Sequence, residues 1–325
     1  MSKKTLFVLS AACILFGAIL FGGAMTMVKW NFKLLSTVKY ETNEHHVAEP
    51  FDRISVSTDT ARVVFEPSED GHTTVVCHER TKSHHAVSVR DGVLTVELTE
   101  HRRWYEYIEL DFGNPTVTVR LPAGAYAALT VQTKTGDVSL PSDFSFDAAR
   151  LRAGTGSICI SASVSGMLSV ETGTGNVSVE KLSAGALDLS VSTGRIRVSD
   201  VRVSGGVSLE SSTGKIILVG LECQSLASES DTGSVFLTDV IAAGKMKIEC
   251  DTGSVRLERC DAADIDIETD TGSIVGTLLS EKLFDAKSDT GRVRTPEPVG
   301  TERCRLRTDT GRIEIDLATE QYQTE

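Results

Sequence analysis

Aromatic side chains make up only 6 % of this 325-residue chain, which leaves few stacking surfaces for bases or sugars. Basic residues form no stripe, and the formal net charge is −12, so the electrostatics argue against nucleic acid as a partner. Seven cysteines are scattered at 13, 77, 159, 223, 250, 260 and 304. Their odd number gives no disulfide framework, and the lack of any Cys-x-x-Cys pair excludes a zinc ribbon. Prolines are few and sit at margins (Pro115, Pro122, Pro141, Pro296, Pro298), where they remove no ladder hydrogen bond.

Long apolar runs are missing except at the start. Thr5 to Val28 holds 24 residues without a charge, long enough to cross a hydrocarbon core of about 30 Å as a helix. Lys3 and Lys4 precede it, and Trp30 follows at headgroup level. The run reads as an uncleaved signal-anchor helix. A cleaved signal peptide is the alternative, with Gly22 and Ala24 as small residues near the cleavage site. A lipid anchor at Cys13 does not fit, because Cys13 lies inside the run. The expected layout is a single-pass protein of the cell membrane with residues 1–4 cytoplasmic and the C-terminal domain extracellular. Lys29, Lys33 and Lys39 run against that orientation.

What the chain has in abundance is one short phrase: an alternating apolar run, Thr-Gly, then another alternating run. The threonines fall at 135, 155, 174, 193, 213, 232, 252, 271, 290 and 310. A fixed period of 19 or 20 residues is the mark of stacked repeats that share one core. Three residues after each Thr stands a Val or Ile, as at Val138, Ile158, Val235, Val255 and Ile313. Apolar columns recur four and six residues before the Thr, and a third column lies eight after it, from Leu182 to Leu279. Alternation on both sides of a corner means strands with one buried face. The Gly supplies the positive φ of a tight corner. Equivalent strands of successive repeats then pair in parallel.

The expected fold is therefore all-β: a parallel β-solenoid of about ten coils, with the right hand favoured because parallel crossovers take it. Residues 29–49 read as linker, 50–122 as a degenerate N-terminal cap, 123–317 as the regular solenoid and 318–325 as a frayed tail. Within the cap, Thr60-Ala61 is a near-copy of the corner, and GVLTVEL and TVTVRLP are strand candidates. The run VTVRLPAGAYAALTVQTKTGDVSL, with its Leu121-Pro122 step, leads into repeated TGSIxI and TGxVxV coils behind a membrane segment. Over residues 50 to 317 the chain thereby resembles the bacterial "putative adhesin" β-strand-repeat family, a cell-envelope domain of unknown function. The resemblance implies a β-solenoid, a surface location and no catalytic residues.

Three features invite a chemical reading. Asp-Thr-Gly recurs at Asp231, Asp251, Asp270, Asp289 and Asp309. An aspartic protease needs two carboxylates sharing a proton, not five copies in register. The column reads as turn chemistry, each Asp accepting corner amides, with Arg292 and Arg312 offsetting the like charges; a row of weak Ca²⁺ sites is the alternative. The seven histidines all precede the regular coils. In the adjacent pairs His45-His46 and His84-His85, neighbours on a strand point to opposite faces, so neither pair chelates easily. A solvated cap is the plain reading, and a metal or pH-sensing role the sharper one. Arg102, Arg103, Trp104, Tyr105 and Tyr107 form the one aromatic-plus-basic cluster of the ectodomain, the place to expect a ligand contact unless it packs as a cap hairpin.

No catalytic residue, cofactor or metal is expected. The favoured function is a non-enzymatic, membrane-anchored surface rod for adhesion, envelope assembly or envelope-stress sensing, with a protein or glycan partner at the cell surface. The alternative is a carbohydrate-active β-helix enzyme of the polysaccharide lyase kind. Such an enzyme needs long loops that cluster carboxylates with an Arg or Lys base, and the coils from 135 to 311 leave no room for them.

Overall fold

The structure is a computed structural model that describes residues 3–27, 29–30, 38–100 and 113–318. The apolar run is one helix, Lys3–Met27. Within it Thr5–Met27 is long and apolar enough to cross a membrane, and most of its side chains are exposed.

The strands after the helix build a parallel β-solenoid. Gly124–Thr135 pairs with Phe144–Thr155, and that strand with Ser163–Thr174, residue for residue at the corner: Thr135, Thr155 and Thr174 are successive partners. The same register carries on through Thr193, Thr213, Thr232, Thr252 and Thr271. Beyond the corner, Val138–Leu140, Ile158–Ile160 and Val177–Glu180 stack likewise. The β-branched column lies inward because alternate residues of a strand share a face. Val235 and Val255 are stacked partners, each wholly buried. Burying one such side chain contributes on the order of 1.5–3 kcal/mol, and the column repeats the gain in each coil except that of Thr290, at the end of the stack, where Val293 is 39 % exposed.

Eight of the ten corner glycines are needed for two reasons. Gly214 has φ 151°, a backbone that L residues avoid. A Cβ built there would also strike the carbonyl oxygen of Gly194 in the coil below. The residue two before the Thr lies inward, and its side chain closes the corner. Thr172 donates to Gly156 O at 3.1 Å, Thr269 to Gly253 O at 3.0 Å and Thr308 to Gly272 O at 2.9 Å. The corner threonines themselves face solvent. Seven residues past the Thr the coil turns again through left-handed backbone at Lys181, Asp200, Gly220, Asp239 and Arg259, with φ between 51° and 62°.

The third inward column holds at Leu182, Val201, Leu221, Val240 and Cys260 but not at Leu279, which is 46 % exposed. A bulge shifts the register between Leu257 and Cys260, so Leu278 opposes Cys260 and takes the buried place. Cys250, Cys260 and Cys304 fill inward positions, while Cys159 is exposed.

Both ends depart from simple stacking. At the C-terminal end Arg303–Thr310 lies between Val255–Thr271 and Leu283–Ser288, and Ile313–Leu317 lies between Ile274–Leu278 and Val293–Arg294. The coil that carries Thr310 is thus inserted inside the coil that carries Thr290. The N-terminal end mirrors it. Arg53–Thr58 sits between Val93–Glu100 and Gly124–Thr135, and Arg62–Pro67 between Thr116–Leu121 and Val138–Leu140. Residues 40–47, within the stretch read as linker, form a strand antiparallel to Thr73–Arg80, and Ser83–Arg90 runs antiparallel to Val93–Glu100. The parallel edge is thereby covered by antiparallel strands, one way to blunt an open sheet end.

Candidate functional site

The Asp-Thr-Gly carboxylates do not act as corner caps. Asp231, Asp251, Asp270, Asp289 and Asp309 all face solvent. Among the described residues no backbone amide donates to their side chains, and Asp289 instead pairs with Lys287 at 2.8 Å. The residue after the Gly does the capping. Asp137 accepts from Ser157 N at 2.8 Å, Asn176 from Arg195 N at 3.1 Å, and Ser254 from Ser273 N at 3.2 Å. The reason is directional: a side chain before the corner points out along the preceding strand, whereas one just past the Gly overhangs the amide of the next coil. Arg312 reaches Glu314 at 3.7 Å, not the aspartate column. The five carboxylates are one solvent-facing ladder, in spatial order 231, 251, 270, 309, 289.

Elsewhere on the rod, charge is paired from coil to coil. Arg152 meets Glu171 at 2.9 Å, Arg259 meets Asp239 at 2.5 Å, and Arg303 meets Asp264 at 3.1 Å. These contacts are exposed, and each contributes little to stability. Lys282 differs. Its amine is fully buried, donates to Ala262 O at 2.7 Å, lies 2.6 Å from Asp261 and also meets Glu302. Burial pulls its pKa down, but the two carboxylates outweigh this and leave it raised. It pins the connection that leads to the transposed coil.

A groove of about 670 Å³ runs across the coils between Ala125 and Gln224. Its floor is the buried column Phe146, Val164, Ala184, Val203 and Cys223, and its rim carries Ser145, Ser163, Ser165, Ser183 and Ser204 with Asp147, Arg202 and Glu222. Ser165 donates to Asp147 at 3.1 Å, and Arg202 is held by Glu222 at 3.1 Å. An apolar floor with a hydroxyl rim, open along the rod axis, suits an extended ligand that meets several coils. Sequence reasoning missed it, because the rim residues are ordinary serines that only stacking brings into line. The expected contact cluster Arg102, Arg103, Trp104, Tyr105 and Tyr107 lies outside the described residues, as does the tail beyond Ala318.

The densest chemistry is in the N-terminal cap. Cys77 and Glu79 share one face of Thr73–Arg80, and His85 enters from Ser83–Arg90 after the turn. All three are buried, at 0 %, 1 % and 4 % exposure. His85 Nδ1 lies 2.6 Å from Glu79 Oε2, which also accepts from His85 N at 2.7 Å; Asn43 donates to Oε1 at 2.7 Å. The other ring nitrogen of His85 meets Thr58 Oγ1 at 2.9 Å. Burial pulls the Glu79 carboxyl upward, but the hydrogen bonds from Asn43 and His85 win and hold it below its ordinary value. Burial, with Glu79 beside it, pushes the Cys77 thiol up to about 12. His84 is half exposed, yet its Nδ1 lies 3.3 Å from Glu79 Oε1, so both neighbouring histidines reach the same carboxylate. The spacing Cys-x-Glu, with a His just past a turn, was the available signal, since positions i and i+2 share a face.

The family model Toastrack DUF4097 matches residues 51–218, just over half of the chain. No curated protein matches the chain. Among solved structures, a "putative adhesin" from Parabacteroides distasonis is similar at 15 % identity and TM-score 0.49, covering 86 % of this chain and 98 % of that one. A "putative adhesin" from Bacteroides fragilis shares 15 % identity at TM-score 0.41, with 86 % and 97 % covered. A "putative lipid binding protein" from Parabacteroides distasonis shares 11 % at TM-score 0.39, with 86 % and 98 % covered.

Proposed function

Since the chain belongs to the Toastrack DUF4097 family, we propose that it is a non-enzymatic, membrane-anchored surface protein whose solenoid is a rigid binding rod. Its roles are adhesion, envelope assembly or envelope sensing, with a protein or glycan strand laid along the serine-rimmed groove. The observation that carries this reading is the continuity of the coils. From Gly124 to Leu278 no connection between successive strands exceeds three residues. A β-helix enzyme builds its cleft on long loops, and here the groove's Arg202 is neutralised by Glu222. The helix Lys3–Met27 stays attached and holds the rod outside the cytoplasmic membrane.

The test is thiol labelling of intact cells with a membrane-impermeant reagent, outer layers opened where necessary. Cys159 is the exposed thiol of the rod, so labelling should occur before lysis and vanish in Cys159→Ser. Labelling only after lysis would invert the topology and remove the surface role with it.

A further inference from the structure

We propose that Cys77, Glu79 and His85 form a binding site for a zinc-class divalent ion inside the N-terminal cap. Their sulfur, carboxylate oxygen and imidazole nitrogen all lie within 4.8 Å of one another. Small movements of three side chains would bring them onto one ion. The set is mixed S, O and N, which suits Zn²⁺ and its neighbours rather than Ca²⁺ or Mg²⁺, whose sites are built from oxygen.

Charge balance favours the ion. A buried cluster of a thiolate, a carboxylate and a neutral imidazole carries two negative charges, and a divalent cation cancels both. A cation in contact with the sulfur favours the thiolate, and the thiol proton leaves to solvent as the metal binds.

The donors are already aimed. Asn43 holds Glu79 Oε1 at 2.7 Å, which fixes the carboxylate and turns Oε2 toward His85. Thr58 meets His85 Nε2 at 2.9 Å, so the ring can present Nδ1 to the ion with its other nitrogen engaged, the usual arrangement for a ligating histidine. A cavity of about 20 Å³ borders Thr58, Glu79 and His85 on the side away from Cys77 and has room for one water. Glu79 Oε1 also lies 3.3 Å from half-exposed His84, which contacts Glu41 at 3.3 Å, and this pair marks the way in. Bound there, the ion ties Thr73–Arg80 to Ser83–Arg90 at the end of the rod that follows the helix.

The experiment is Co²⁺ titration of the full chain, purified in detergent and stripped by chelator. One equivalent of Co²⁺ should produce a thiolate-to-cobalt charge-transfer band, displaced by Zn²⁺, and Zn²⁺ should raise the melting temperature. Cys77→Ser should lose the band, and Cys159→Ser should keep it. Glu79→Gln serves as a second variant and should weaken binding at least tenfold. A wild-type chain with no band and no Zn²⁺-dependent melting shift overturns the proposal, and that result needs no variant to fold. A band that survives in Cys77→Ser and disappears in Cys159→Ser also overturns it, since the exposed thiol is then the ligand.

Discussion

Arg303 grips Asp264 with Nε and Nη2, each at 3.1 Å, across a separation of 39 residues. Two repeat periods lie between them, yet they are neighbours, because the chain passes out to the coil of Thr290 and returns to fill the place it skipped. Disulfide trapping tests this order. Neighbouring strands lie about 4.8 Å apart, within disulfide reach, and next-nearest strands lie about 10 Å apart, beyond it. In a Cys159→Ser background, Thr271→Cys with Thr310→Cys should cross-link readily under mild oxidation, and Thr271→Cys with Thr290→Cys should not. The reverse result would restore sequential stacking.

The same pair sets an acid response. The hydrogen bond from Arg303 holds the Asp264 carboxyl below its ordinary value. A carboxyl lowered on folding adds stability above its unfolded pKa of about 3.9, and the gain is lost as pH falls through the lower folded value. Because the pair is exposed, the effect is small: Arg303→Met should move the acid unfolding midpoint slightly to higher pH. An acid limb that superimposes on wild type would show that the contact does not bear on stability.

Val235 and Val255 are stacked partners without solvent exposure. Val255→Asp places a charge in that apolar column and should cost about 4 kcal/mol, read as a large drop in the thermal or urea midpoint. A variant that melts like wild type would contradict the inward assignment.

The aspartate ladder makes a negative prediction. Asp251 and Asp270 are exposed carboxylates on adjacent coils, and one carboxylate per coil is a poor match to the six to eight oxygens Ca²⁺ takes. Millimolar Ca²⁺ should leave the melting temperature unchanged, because a ligand stabilises only through binding the native state. A rise that disappears in the double variant Asp251→Asn, Asp270→Asn would establish the calcium row instead.

Much of this architecture was legible in the residues themselves. The period of 19 or 20, the β-branched column and the Thr-Gly corner determine coil length, inward face and turn, because each is a local consequence of strand alternation and backbone sterics. The apolar run at the start likewise fixes the one helix among the described residues that is long and apolar enough to cross a membrane. The order of the coils was left to the tertiary structure. Every corner carries the same phrase, so Thr271 could stack on Thr290 or Thr310 with equal local fit, and the choice falls to nonlocal contacts such as Lys282 with Glu302 and Arg303 with Asp264. The groove and the Cys77–Glu79–His85 cluster depend on contacts of the same kind. Single side chains from different strands become one site only when the backbone has brought them together, and no pattern within one strand records its partner on another.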